Sequence, residues 1–268
     1  MRRFVSAACI LPPLVLLVRY GSSVHFLLLL TLVVGVALIE FYRLLAAKGF
    51  PCWEWLGVGV GLVFPLTFYV GGMASHAALA SAIVVSFVTG LFAREELATS
   101  LQSVAFTLLG VFYVGWLLSH VVLLRLLTEG VYYVFYIFGV VWLGDAAAMG
   151  LGTWLGRHKL AATISPRKTI EGAIGGLIGS VCAALLGGIW LLEHVTLMQC
   201  LALGGLLAIF GQLGDLSESL LKRSVEVKDS SWLIPGHGGV LDKVDGILFS
   251  APALYYYVLY VIRPGLSS

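Results

Sequence analysis

A chain of 268 residues in which 60% are hydrophobic and only 11% are charged cannot be an ordinary soluble domain. Its formal net charge of +2 says little by itself and gives no reason to expect a nucleic-acid partner; what matters is where the charges stand. These numbers describe an all-α, polytopic integral membrane protein.

Apolar windows of roughly 17 to 25 residues give about nine transmembrane helices. They fall near residues 4 to 18, 24 to 42, 55 to 73, 76 to 93, 102 to 124, 130 to 149, 172 to 192, 196 to 215 and 245 to 262. Arg2 and Arg3 before the first run suggest a signal peptide. Pro12, Pro13, the lack of a small-residue cleavage site and the nearness of the next span favour a retained first helix. With the N-terminus inside, the inner segments collect Arg2, Arg3, Arg43, Lys48, Arg94, Arg157, Lys159, Arg167, Lys168, Lys222, Arg223, Lys228 and Lys243. Only Arg19, Arg125 and Arg263 are left outside. That bias predicts an N-in, C-out arrangement with both long basic loops, 150 to 171 and 216 to 244, facing the cytoplasm. Their field would draw anionic membrane lipids to the inner leaflet.

Residues 1–130 read as scaffold helices and residues 131–268 as the catalytic region of one continuous membrane domain. Glu40 and Arg43, three residues apart at a helix end, read as an interfacial pair. Trp53 and Trp55 read as interfacial anchors, and Gly57, Gly59 and Gly61 as sites of close helix packing. His25, His76 and His120 stand alone and read as structural. The four cysteines, Cys9, Cys52, Cys182 and Cys200, lack metal-ligand spacing and read as buried small hydrophobes.

Chemistry begins at Asp145, in the apolar run VVWLGDAAAMG, about a turn from the inner end of its span. A carboxylate there is costly and therefore a functional candidate, the alternative being an interhelical ion pair. In the loop that follows, Ser165 and Pro166 read as an N-cap and a first-turn proline. That would place Arg167, Lys168 and Thr169 at a helix N-terminus, a natural anion site. Glu171 would cap that helix or hold Lys168. Gly172, Gly175, Gly176 and Gly179 form overlapping GxxxG patterns for tight packing.

The densest set of ionisable residues runs from Gly214 to Asp245, GDLSESLLKRSVEVKDSSWLIPGHGGVLDKVD. On a helix, Asp215, Ser219 and Lys222 share a face. Pro235, Gly236, Gly238 and Gly239 break any continuous helix and let backbone approach a ligand. Asp242 and Asp245, three residues apart at the next helix start, aim two carboxylates one way, an arrangement that suits a hard cation such as Mg2+. A merely solvated polar loop is the alternative on spacing alone.

The run SLLKRSVEVKDSSWLIPGHGGVLDKVD, from Ser219 to Asp245, resembles the signature of the phosphatidate cytidylyltransferases (CDP-diacylglycerol synthases), integral membrane enzymes of phospholipid synthesis. DAAAMG from Asp145 and SPRKTIEG from Ser165 resemble other segments of that family. One position departs: the family's usual Arg after the first Asp of the closing D-R-x-D is Lys243 here, which exchanges a bidentate fork for a point charge. The resemblance implies CTP and phosphatidate as substrates, CDP-diacylglycerol and pyrophosphate as products, and Mg2+ as cofactor at the cytoplasmic face of the inner membrane. It permits a second cation such as K+ and a homodimer. Asp215, Asp242 and Asp245 would hold the metal. Lys222, Arg223 and Lys228 would bind phosphates, with His237 as phosphate contact or proton donor. Asp145, Ser165, Lys168, Ser219, Asp229, Gly238, Gly239 and Lys243 would complete substrate binding. The competing readings are another membrane lipid nucleotidyl- or phosphotransferase and an ion-coupled transporter; the transporter would place ionisable groups near mid-bilayer and show paired repeats.

Overall fold

The structure, a computed structural model, describes residues 12–192, 194–233 and 238–263. Its helices are α1 (Ser23–Ala46), α2 (Glu54–Val70), α3 (Ala74–Phe92), α4 (Leu97–Leu126), α5 (Gly130–Leu155), α6 (Ile170–Leu191), α7 (Leu197–Ser224) and α8 (Leu241–Ile262). All but α2 are long and apolar enough to cross a membrane, and α2 has 17 residues, at the lower limit for a span. The fold is thus the expected all-α polytopic membrane protein. Each expected span from the second to the ninth coincides with one of these helices. The first lies mostly outside the described residues, of which 12–20 are helical.

The helices form two compact units. One comprises the described residues up to Leu126 together with Ser224–Lys243; the other comprises Leu127–Arg223 and the described residues from Val244 onward. The loop 224–243 thus groups with the N-terminal helices. In the first unit, α1, α2 and α4 pack through small residues. A Cβ on Gly57 would run into the Tyr42 ring, and one on Gly61 would lie 2.5 Å from Leu38 Cδ1. The Tyr42 hydroxyl donates to the Thr107 carbonyl at 2.6 Å, so this close-packed seam also satisfies its polar atoms. Gly59 faces open space and does not take part.

In the second unit, α5 and α6 run antiparallel and nearly touch. A Cβ on Gly176 would lie 3.0 Å from Ala148 Cβ, one on Gly175 2.6 Å from Leu151 Cδ1, and one on Gly144 would meet Ser180 Oγ. The GxxxG reading therefore holds. Two expectations fail here. Helix α5 continues to Leu155, so Asp145 lies well inside it rather than a turn from its end. Ser165–Thr169 is not the start of a helix but a strand, β2, paired antiparallel with β1 (Lys159–Ala161), with Lys159 opposite Thr169 and Ala161 opposite Ser165. The N-cap of α6 is Thr169, whose side chain accepts from Gly172 N at 3.1 Å. Glu171 accepts from the backbone of Arg157 (3.0 Å) and His158 (3.2 Å) and pairs with the His158 ring, so it anchors the hairpin and does not hold Lys168.

At the other end of this unit, Glu129 pairs with His194 Nδ1 at 2.9 Å and Arg263 at 3.3 Å, while His194 Nε2 meets the Tyr133 hydroxyl at 2.9 Å. These contacts tie together the start of α5, the end of α8 and the α6–α7 turn. Among the cysteines, Cys200 is buried, Cys52 half-buried and Cys182 exposed, so the expectation of burial holds fully only for Cys200; Cys9 lies outside the described residues.

Candidate active site

In the second unit, each of three aspartates has a glycine as chain neighbour: Gly144 before Asp145, Gly214 before Asp215, and Gly246 after Asp245. The glycines let backbones close to contact. A Cβ on Gly214 would press on the Asp245 carbonyl oxygen, and one on Gly246 would lie 2.9 Å from Val141 Cγ1. Helices α7 and α8 therefore cross at the acidic residues themselves, and the carboxylates next to the crossing converge. Ligand atoms of Asp215, Glu218 and Asp245 all lie within 4.8 Å of one another. Asp245 is also within electrostatic reach of Asp145 and Lys222.

Three carboxylates this close repel one another, and the strength of that repulsion rises where water is scarce. Cations offset it: Lys168 Nζ, carried in on β2, lies 2.6 Å from Asp215 Oδ2, and Lys222 pairs with Glu218 one turn away on α7. Glu218 is fully buried, whereas Asp215 and Lys168 are each about a quarter to a third exposed. Arg223 Nε donates to the Ile164 carbonyl at 3.3 Å, which ties the end of α7 to the tip of the hairpin and keeps β2 in place. Asp145 and Gln212 line a cavity of about 10 Å³ between α5, α6 and α7, room for about one water. Gln212 Nε2 donates to the Ala173 carbonyl at 3.1 Å, so the cavity has polar walls.

This donor set suits a hard divalent cation. Two oxygens on one Mg2+ stand about 2.9 to 4.2 Å apart. Rotation of the carboxylate side chains brings oxygens within 4.8 Å of one another into that range. Oxygen donors without sulfur or imidazole select Mg2+-like ions over zinc.

Asp242 stands elsewhere in the contact pattern. Its Oδ2 accepts from Ser230 N (2.9 Å), Ser230 Oγ (2.9 Å) and Gly239 N (2.7 Å), which closes the loop 224–240 on the start of α8. Gly238, at φ +84°, turns the chain there in a conformation that side chains rarely adopt. Lys228 and Asp229 are exposed on that loop, and Lys243 N donates to the Val240 carbonyl at 3.0 Å. His237 lies outside the described residues. Of the expected residues in the second unit, Asp145, Lys168, Asp215, Lys222 and Asp245 are drawn together. Ser165 is at the start of β2, and Ser219 follows Glu218 on α7.

Two residues escaped the sequence reading. Glu218 sits three residues after Asp215, so helical periodicity alone aims it at the same cluster. Glu40 was assigned to Arg43; instead Arg43 pairs with Glu54 at 3.6 Å and Glu40 is buried against the loop. The default applied to Asp145, that an ionisable residue within a span is functional, would have found it.

The sequence profile of the cytidylyltransferase family matches residues 1–261. A phosphatidate cytidylyltransferase from Staphylococcus saprophyticus is 39% identical over 196 residues, 72% of this chain and 74% of the relative. One from Synechocystis is 32% identical and covers 89% of both chains, and one from Staphylococcus aureus is 38% identical, covering 73% and 75%.

Proposed function

The chain belongs to the cytidylyltransferase family, and we propose that it joins CTP to phosphatidate, giving CDP-diacylglycerol and pyrophosphate. The observation that carries this reading is the carboxylate trio Asp215, Glu218 and Asp245, flanked by Lys168 and Lys222, inside a membrane helix crossing. In the reaction, a phosphate oxygen of the lipid forms a bond to the α-phosphorus of CTP. The bond from that phosphorus to the bridging oxygen breaks, and pyrophosphate departs with the electron pair. The nucleophile is already an anion, so the protein need not abstract a proton. Its task is to bring polyanions together and hold them in line.

Asp215, Glu218 and Asp245 would hold Mg2+ in this reading, and Asp242 shapes the loop. When bound, Mg2+ would neutralise charge on the triphosphate and on the pyrophosphate as it forms. Lys168 and Lys222 stand beside these carboxylates and supply the next layer of charge, for the phosphate oxygens. Lys168 comes from a strand paired with β1 at Ser165 and Thr169, so its ammonium is placed without a long flexible loop. Arg223 holds the hairpin, and Ser165 and Ser219 offer hydroxyls to the phosphates. The bias of Lys and Arg to one set of loops supports an active site facing the cytoplasm from the inner membrane, within reach of soluble nucleotide.

The test is product formation by purified protein in phosphatidate mixed micelles. CDP-diacylglycerol and pyrophosphate should appear in equal amounts, stop with EDTA and resume when Mg2+ is added back. Pyrophosphate released without phosphatidate, or no lipid product at all, would overturn the reading.

A further inference from the structure

We propose that Glu40 is a positioning residue for this reaction: from α1 it clamps the loop 224–240 and the first turn of α8, and so fixes where α8 begins. The proposal rests on the site reading above, in which α8 carries Asp245.

Glu40 is only 5% exposed, in a largely apolar helix. A buried carboxylate is tolerated only where its charge is compensated. Among the described residues no lysine or arginine is paired with it. Compensation comes from four donors of one distant segment. Oε1 accepts from Ser231 Oγ at 2.6 Å and Val240 N at 3.0 Å; Oε2 accepts from Ser230 Oγ at 3.2 Å and Leu241 N at 2.8 Å.

The two backbone donors lie at the start of α8, where N–H groups have no intrahelical acceptor and the helix dipole favours an anion. Glu40 therefore caps α8 from another helix, and it grips both ends of the loop at once. Ser230 links the two carboxylates of the loop region: its hydroxyl stands 3.2 Å from Glu40 and 2.9 Å from Asp242 and has one proton to share between them. Gly239 is fitted to the same clamp, since a Cβ there would lie 2.5 Å from Glu40 Oε2. The residues so held, Ser230, Ser231, Val240 and Leu241, belong to the run that resembles the family signature. Asp245 follows Asp242 by one helical turn, so a change in where α8 starts displaces its carboxylate.

Glu40→Gln tests this, because it keeps the volume but turns one acceptor into a donor aimed at a donor. In phosphatidate mixed micelles, kcat should fall about 10²-fold, the cost of a displacement of about 1 Å at the reacting centre, with KM for CTP changing far less. Tryptic cleavage of the folded protein after Lys228, exposed on the clamped loop, should quicken in parallel. Glu40→Asp, which keeps both acceptors, should fall between Gln and wild type in both measurements. A wild-type kcat in Glu40→Gln, or a lowered kcat with loop cleavage unchanged, overturns the proposal. If Glu40→Gln fails to accumulate, Ser231→Ala removes one tie; lowered kcat with faster cleavage then supports the clamp, and wild-type values in both overturn it. Should wild-type protein yield no CDP-diacylglycerol, the functional reading has failed, and the cleavage rates still decide whether Glu40 holds the loop.

Discussion

Gly214→Ala is the sharpest probe of the helix crossing. The added methyl would press on the Asp245 carbonyl oxygen and stand 3.2 Å from Gly246 Cα, both backbone atoms that cannot swing aside. To restore ordinary contact, α7 and α8 must part by on the order of 1 Å, and such overpacking costs about 1–3 kcal/mol. The carboxylates beside the crossing move apart with their helices, and a separation of that size at the reacting centre lowers kcat by about 10²-fold. The expected signature is specific: more Mg2+ is needed for half-maximal CDP-diacylglycerol synthesis, because Asp215 and Asp245 no longer reach one ion. Gly205→Ala is the control, on the same helix but with open space around the added methyl, and it should behave as wild type. Folded Gly214→Ala protein with unaltered rate and unaltered Mg2+ dependence would refute the claim that backbone contact sets the spacing of the acids.

Asp215→Asn and Asp245→Asn should each lower kcat by about 10³-fold while membrane insertion persists, read as turnover per extracted molecule. Glu218→Gln should raise the Mg2+ needed for half-maximal rate at least about tenfold, with Lys222 left beside an amide; an unchanged Mg2+ titration would remove Glu218 from the ligand set. Thr169→Ala should cost about 1 kcal/mol through the lost cap of α6, seen as a lower thermal midpoint in detergent, and Thr169→Ser should not.

Much of this was readable from residue order because a membrane span needs only a long apolar run. The spans that became α1 to α8 follow from that rule, and so does the suspicion attached to Asp145. The failures share a cause: local signals were read without their tertiary partners. The apolar run sets the end of its span near residue 149, yet α5 continues through Gly150 and Gly152 to Leu155. A Cβ on Gly152 would lie 3.3 Å from Gly172 Cα, so at that position glycine serves approach, not termination. Ser165–Pro166 has the composition of a helix start. Pairing with Lys159–Ala161 makes it a short edge strand, a place where proline is tolerated. Asp242 and Asp245 share a spacing that suits one cation. What spacing cannot register is that Ser230 and Gly239 also donate to Asp242 Oδ2. Glu40 lay too far along the chain, 190 residues from Ser230, for any local pattern to connect them.

The contact at Gly214 and Asp245 also acts as a fulcrum. Bilayer thickness changes how far spanning helices lean, and a rod leaning about a fixed point sweeps its ends while the point itself stays still. Acids seated beside the pivot keep their distances as the far ends of α7 and α8 swing, so ion affinity should vary little between short-chain and long-chain lipid hosts.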